Sequence, residues 1–260
     1  MIPIDIKETL GLVAVGAART IPLTWSIPAF GGPSLPGQIR LAIGMGLSFL
    51  CLPVLSASPL PASTLVWGLL VAREVMVGVV MGFVCACLFR AAEAAGQLTD
   101  VLRGASMAQV LSPTGGGTSS PLGAMMLLLA AVVFFEIGGM AHVSSALVRS
   151  YEAIPLSSHP RFAGSPGAMA TVATVSSAKL IESTIGLCAP AVVALLLADI
   201  LLGIVGRAVP QIPIYFVGMP LKALLGVGAV LLGLAGLDTA LQFGFRGFFD
   251  LLDAAFRHQP

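Results

Sequence analysis

Charged residues interrupt the apolar stretches of this 260-residue chain before most of them are long enough to cross a bilayer. A helix needs about 20 predominantly apolar residues to traverse a hydrocarbon core of about 30 Å. From Glu74 onward, the uncharged runs at 75–89, 183–198, 208–221 and 223–237 hold fifteen, sixteen, fourteen and fifteen residues. With a rise of about 1.5 Å per residue, each covers only about 21–24 Å. Yet 57% of the residues are hydrophobic, 10% are charged and the mean hydropathy is +1.00, too apolar a mixture for a water-soluble globule of this size. Two arrangements reconcile these facts. Either the charges face a bundle interior or a water-filled path, or the helices are broken into half-length hairpins buried against other proteins. Both arrangements place function at the charges.

Thirteen Lys and Arg against twelve Asp and Glu leave a net charge of +1. No field of one sign would steer a polyanion, which argues against nucleic acid as a partner. Cys51, Cys85, Cys87 and Cys188 lie in apolar stretches. The Cys85-x-Cys87 spacing is too close for the usual zinc motif and has no His or further Cys nearby, so the cysteines read as small buried hydrophobes and no metal is expected. The apolar run Leu10 to Ala18 stops at Arg19 with no convincing cleavage site behind it, and is expected to be retained.

Hydropathy predicts apolar helical segments near 9–30, 41–58, 63–89, 122–149, 176–206 and 214–237, followed by an amphipathic tail at about 238–260. The stretches between them, "GGPSLPGQ" (31–38), "SASPLPAS" (56–63), "SPTGGGTSSPLG" (112–123) and "PLSSHPRFAGSPG" (155–167), are loop chemistry. The expected fold class is all-α, membrane-associated helical hairpins with broken or bent helices. With no internal repeat, residues 1–260 read as one membrane-embedded domain.

Four stretches carry most of the information. In 90–108, Arg90, Glu93, Gln97 and Asp100 recur at helical spacing and form a polar stripe, while Ala91, Ala92, Ala94, Ala95 and Gly96 leave the rest smooth enough for a neighbouring helix to approach closely. Gly78-x-x-x-Gly82 is a second small-residue contact candidate. Glu136 and His142 sit inside an apolar segment, suited either to a polar contact with another helix or subunit or to a proton relay, and Gly138-Gly139 should break that helix. Farther on, Asp199 and Gly203 share a helix face, whereas Arg207 lies about 12 Å along and rotated by about 80°, so Asp199 and Arg207 should not pair on one straight helix. Pro210 and Pro213 each remove a backbone donor, so Pro210, Gln211 and Pro213 are expected at the turn between antiparallel helices. No HExxH, P-loop or dinucleotide-binding signature occurs, so no enzyme activity and no cofactor is expected.

Taken together and in order, "AAEAAGQLTDVLRGASMA", "SPTGGGTSSPLG", "FFEIGG", "SYEAIPL" and "APAVVALLLADILLGIVGRAVPQIPIYFVGMPLK" resemble one family. It is the export-apparatus subunit shared by type III secretion injectisomes (the SctT-type component) and flagella (the FliR-type component). The resemblance spans roughly residues 70 to 235. It implies a non-catalytic part of the inner-membrane entry portal for unfolded secreted proteins, assembled with SctR/FliP-like and SctS/FliQ-like subunits into a closed helical complex. The large export-gate protein and inner-rod components would lie next to it, with membrane lipid around it. Asp100, Arg103, Glu136, Asp199, Arg207 and Lys222 would then make inter-subunit or channel-facing contacts. "D-x-x-R-G-A" at Asp100, the Gly138-Gly139 pair and "S-Y-x-x-x-P" at Ser150 resemble the injectisome branch more than the flagellar one. The family typically has Asn where Pro213 stands, and this chain contains no Asn at all. A reading from another class, a secondary transporter using Glu136, His142 and Asp199 for proton coupling, lacks the repeat symmetry expected of such proteins.

Overall fold

The computed structural model describes residues 6–30, 35–55, 63–105, 120–156, 166–209, 211 and 214–257. Among these, every regular element is helical. Helix α1 (Ile6–Ser26) leads through a 3-10 turn at Pro28–Phe30 to α2 (Gly37–Leu50) and the short α3 (Leu52–Leu55). Helix α4 (Thr64–Leu102) is followed by α5 (Pro121–Glu136), α6 (Gly139–Ala153), α7 (Pro166–Ala208), α8 (Ile214–Leu232) and α9 (Leu234–Arg257).

Two helices outrun the uncharged stretches that frame them. The expected segment at 63–89 and the polar-striped helix after it form one continuous 39-residue α4, and α7 runs for 43 residues from Pro166, ahead of its expected start at 176. Charge does not stop a helix when the charged side chain finds a partner or a polar face. Ala, Leu, Arg and Glu are all good helix formers, and Pro at the first helical position forfeits only an amide that would be orphaned anyway. Helix α4 and residues Met169–Ala208 of α7 are long and apolar enough to cross a membrane, and the count rises to four if the bent pairs starting at Pro121 and Phe216 are each one span. Prolines occur inside three of the helices, Pro22 in α1, Pro190 in α7 and Pro220 in α8. Near Pro22 the Ser26 hydroxyl donates to the Pro22 carbonyl at 2.8 Å, the back-bond of a Ser side chain to the carbonyl four residues before it.

The chain contacts group into two compact units, each discontinuous in sequence. The first comprises residues 1–87, 134–178 and 245–260. Here α1 and α2 pack antiparallel. Thr20 Oγ1 donates to the Gly44 carbonyl at 2.7 Å, and Ser48 Oγ donates to the Val13 carbonyl at 2.9 Å. The close approach depends on small residues. A Cβ on Gly44 would lie 3.1 Å from the Ile21 Cα, and a Cβ on Gly78 would overlap the Arg19 carbonyl, 2.9 Å from its carbon. A Cβ on Gly82 would meet Ser26 at 2.8 Å, so the Gly78-x-x-x-Gly82 face of α4 receives α1. Phe134 packs against Phe245 with ring centroids 5.5 Å apart, and His142 stacks on Phe249 at 4.8 Å.

The second unit comprises residues 88–133 and 179–244. Ala91, Ala92 and Ala95 of α4 are fully buried, and a Cβ on Gly96 would stand 2.6 Å from the Gly123 amide nitrogen. The smooth face therefore lets the first turn of α5 settle on the α4 backbone. Helices α7 and α8 run antiparallel, fixed by an Asp199–Lys222 ion pair and by Gly218, whose added Cβ would lie 3.0 Å from a Leu202 methyl.

Candidate functional site

The strongest polar construction in the first unit is an ionic cluster sealed from solvent. Arg19 and Glu74 have no exposed side-chain surface, and Arg73 has 3%. Arg19 Nε donates to Glu74 Oε2 at 2.7 Å, its Nη1 to Ser150 Oγ at 2.8 Å and its Nη2 to the Ile154 carbonyl at 3.1 Å. Arg73 Nη2 donates to Glu74 Oε1 at 2.9 Å and to the Pro155 carbonyl at 3.1 Å. The Arg19 guanidinium lies 4.1 Å above the Tyr151 ring, whose hydroxyl donates to the Gly16 carbonyl at 2.9 Å. Both carboxylate oxygens are thus taken by Arg, and Arg19 uses all three of its nitrogens. Burying charges is tolerable only with such full satisfaction, and removing one partner leaves the others uncompensated. The cluster ties α1, α4 and α6 together and gives "SYEAIPL" a physical role. Ser150, Tyr151, Ile154 and Pro155 are the groups that hold the two Arg side chains.

Sequence reasoning missed this cluster. Arg19 and Glu74 stand 55 residues apart, beyond any helical spacing. The usable signal was general: an ionisable residue inside an apolar helix must find a partner, and α1 and α4 each offer one of opposite sign.

In the second unit, Asp100 and Arg103 come together with the start of α5. Arg103 Nε donates to Asp100 Oδ1 at 2.6 Å. The other oxygen, Oδ2, accepts from Ser120 Oγ and from the Leu122 amide at 3.0 Å, while Ser120 Oγ accepts from the Gly123 amide at 2.9 Å. Asp100 and Ser120 therefore cap α5 by satisfying amides that have no partner inside the helix, and the carboxylate sits favourably at the positive end of its dipole. The rest of the polar stripe diverges from Asp100. Arg90 pairs with Glu93 at 2.8 Å on an exposed face, and Gln97 donates to Glu93, whereas Asp100 is turned inward and buried.

Asp199 meets Lys222 rather than Arg207, which is exposed at the end of α7. The side chains of the pair keep 44% and 23% of their surface, so the contact is half open. Gln211 is an exposed turn residue, while Pro210 and Pro213 lie outside the described residues. Glu136 ends α5 and is exposed, as is His142, so within this chain neither is a buried polar contact. Gly138 separates the two helices in the left-handed conformation at φ 71°, a position that suits Gly, and a Cβ on Gly139 would collide with the Phe134 ring. Among the described residues no cluster of His, Cys, Asp or Glu is placed to hold a metal ion, and the four Cys are free and buried.

The outer surface of the α7–α8 hairpin is apolar. Val193, Leu196, Ile200 and Ile204 are each more than half exposed, and Leu224 and Leu232 of α8 are 74% and 91% exposed. Contiguous apolar exposure on this scale marks a face that meets lipid or other protein.

The sequence profile of the bacterial export proteins, family 1, matches residues 10–247. The chain is 29% identical over 225 residues to the secretion system apparatus protein SsaT of Salmonella typhimurium, covering 85% of this chain and 86% of that one. To the surface presentation of antigens protein SpaR of Shigella flexneri it is 31% identical over 155 residues, 60% of this chain and 58% of that one. The flagellar biosynthetic protein FliR of Escherichia coli is 24% identical over 234 residues, 90% of this chain and 88% of that one.

Proposed function

This chain belongs to the bacterial export proteins, family 1, and from that premise we propose that it works in the bacterial inner membrane as part of the entry portal for unfolded secreted proteins. It is an export-apparatus subunit of the type III kind and not an enzyme. The observation that carries the reading is α7, an apolar helix long enough to cross a membrane of which only 22% of the most apolar stretch is buried within its own chain. Such a helix is unfinished without neighbours. SctR-like and SctS-like subunits supply them in this reading, with the large export-gate protein and inner-rod components beyond.

Asp199 and Lys222 enter this assembly as a neutral pair, which lowers the cost of setting the hairpin among apolar partners. Arg207, Glu136 and the exposed side of Asp199 remain available for inter-subunit or channel-facing contacts. Two features favour the injectisome branch: the identities to SsaT and SpaR exceed that to the flagellar FliR, and "S-Y-x-x-x-P" is used in full by the buried cluster. The test is co-purification of this chain with SctR-like and SctS-like subunits, together with effector secretion after its deletion. Stable association and loss of secretion are expected. Normal secretion without the chain would overturn the proposal, and loss of motility with intact effector secretion would move it to the flagellar branch.

A further inference from the structure

The N-terminal turn of α2 carries positive charge, and among the described residues no acid forms an ion pair with its Arg40. Pro36, at the N-cap, offers no side-chain acceptor, and no side-chain bond caps the helix. Its carbonyl accepts the Ile39 and Arg40 amides at 3.0 and 3.4 Å, while the Gly37 and Gln38 amides belong to the first turn, whose donors point out of the helix end. Arg40 is 9% exposed, and its Nε has no hydrogen-bond partner. A buried donor left unmade is costly, more so on a charged group. Arg40 is the fourth residue of α2, and Cα–Cβ bonds in a helix tilt toward its N-terminus. Trp25 closes the other side. Its ring lies 5.5 Å from the Arg40 guanidinium carbon, and a Cβ on Gly37 would stand 3.5 Å from that ring.

Helix dipole, first-turn amides and a guanidinium held over an aromatic ring together describe an anion site. We propose that this turn binds the phosphate of a membrane phospholipid headgroup, with Arg40 as its principal donor. The surroundings select lipid over a free anion. Trp25 is 51% exposed, and Leu41, Met45 and Phe49, four residues apart along α2, are 39%, 50% and 63% exposed. They form an apolar stripe that starts beside the Arg and runs away from it along the helix. An acyl chain laid on the stripe places its phosphate at the Arg40 end. Trp beside Arg at a helix end is also the side-chain pairing that suits the headgroup level of a bilayer. Arg40 is the only charged residue of α2, so nothing on that helix repels the phosphate.

The experiment is native mass spectrometry of the full chain in detergent, with phosphatidylglycerol, phosphatidylethanolamine, diacylglycerol or inorganic phosphate added. Wild-type protein is expected to retain either phospholipid, to leave diacylglycerol unbound, and to lose about tenfold in phospholipid retention on Arg40→Gln, the scale of one charge-assisted hydrogen-bonded contact. Arg40→Lys should keep part of the retention. Leu224→Ala, on the exposed face of α8 and outside the proposed site, should keep all of it. Circular dichroism of each variant separates lost binding from lost fold, and a misfolded Arg40→Gln passes the decision to Arg40→Lys and Trp25→Ala. Equal retention by wild type and both Arg40 variants overturns the proposal. Binding of inorganic phosphate with no phospholipid retained overturns the lipid assignment. A crosslink from position 40 to an acidic residue of another export subunit, with no bound lipid, overturns it in favour of a protein carboxylate.

Discussion

Helices α4 and α7 are close in length and both are apolar enough to span a membrane, yet 67% of the most apolar stretch of α4 is buried within the chain against 22% of that of α7. Their charges follow the same division. Glu74 of α4 is enclosed with two Arg side chains and has no exposed surface, whereas Asp199 of α7 keeps 44% of its side-chain surface beside Lys222. The difference teaches how to separate two uses of an ionisable residue in apolar surroundings. One kind completes the fold of the chain itself, and its partners are all internal. The other is only half answered by its own chain and leaves a face for whatever comes next.

The sharpest way to break this comparison is to remove Glu74. Glu74→Ala takes from the buried Arg19 and Arg73 the carboxylate they share and should cost about 3–5 kcal/mol, read as a large fall in the thermal midpoint of the purified chain in detergent. The double variant Arg19→Met, Glu74→Leu should be less damaging than Glu74→Ala, since both members of the buried pair go together. If Glu74→Ala melts like wild type, the sealed cluster is not what holds α1, α4 and α6. Next in size comes Gly78→Leu, which drives a side chain into the Arg19 carbonyl and should cost about 1–3 kcal/mol by overpacking. An unchanged midpoint would mean that α1 does not seat on α4 as closely as described.

Asp100→Ala removes the acceptor of the Leu122 amide and of Ser120 and should cost about 1–2 kcal/mol as a lost cap. Faster hydrogen exchange confined to the first turn of α5 is the expected signature. The smallest effect on stability belongs to Asp199→Ala. A half-exposed pair contributes about 1 kcal/mol or less, so the isolated chain should melt almost unchanged. Secretion in the assembled apparatus should fall more than for Leu196→Ala. Equal secretion by the two variants would place Asp199 with the internal charges and erase the contrast.

Much of this architecture was legible from residue order. Hydropathy located most of the helices, and the uneven stripe of 90–108 foretold that one face of α4 would admit another backbone, which Gly96 and Gly123 now do. Gly78 and Gly82 receive α1 for the reason their spacing suggests. What stayed hidden was pairing at a distance. Local periodicity reports only which residues share a face of one helix. It could exclude Asp199 from Arg207 but could not choose Lys222, nor bring Arg19 to Glu74. One clue to the first of these pairs was present. Asp199 stands nine residues before the end of α7 at Ala208, and Lys222 eight after the start of α8 at Ile214, so nearly the same distance from the helix ends sets them side by side. Two helix lengths were underestimated, α4 because its first segment was ended at Arg90 and α7 because the Pro- and Gly-bearing stretch up to 167 read as a loop. Partnered charges in α4 let a helix continue where the uncharged run ends.

The Asp199–Lys222 pairing across the α7–α8 hairpin also bears on how the chain is integrated during synthesis. Carried separately to the middle of a bilayer, Asp or Lys costs about 2.5–3.5 kcal/mol each. Once the arms have closed, the two ions travel as a single dipole. The pairing predicts an order of events in which the two arms leave water as one unit rather than as successive single helices. Lengthening the turn with a flexible Gly-Ser insert should therefore slow membrane integration in a translocation assay and leave the melting temperature of the finished protein nearly unchanged.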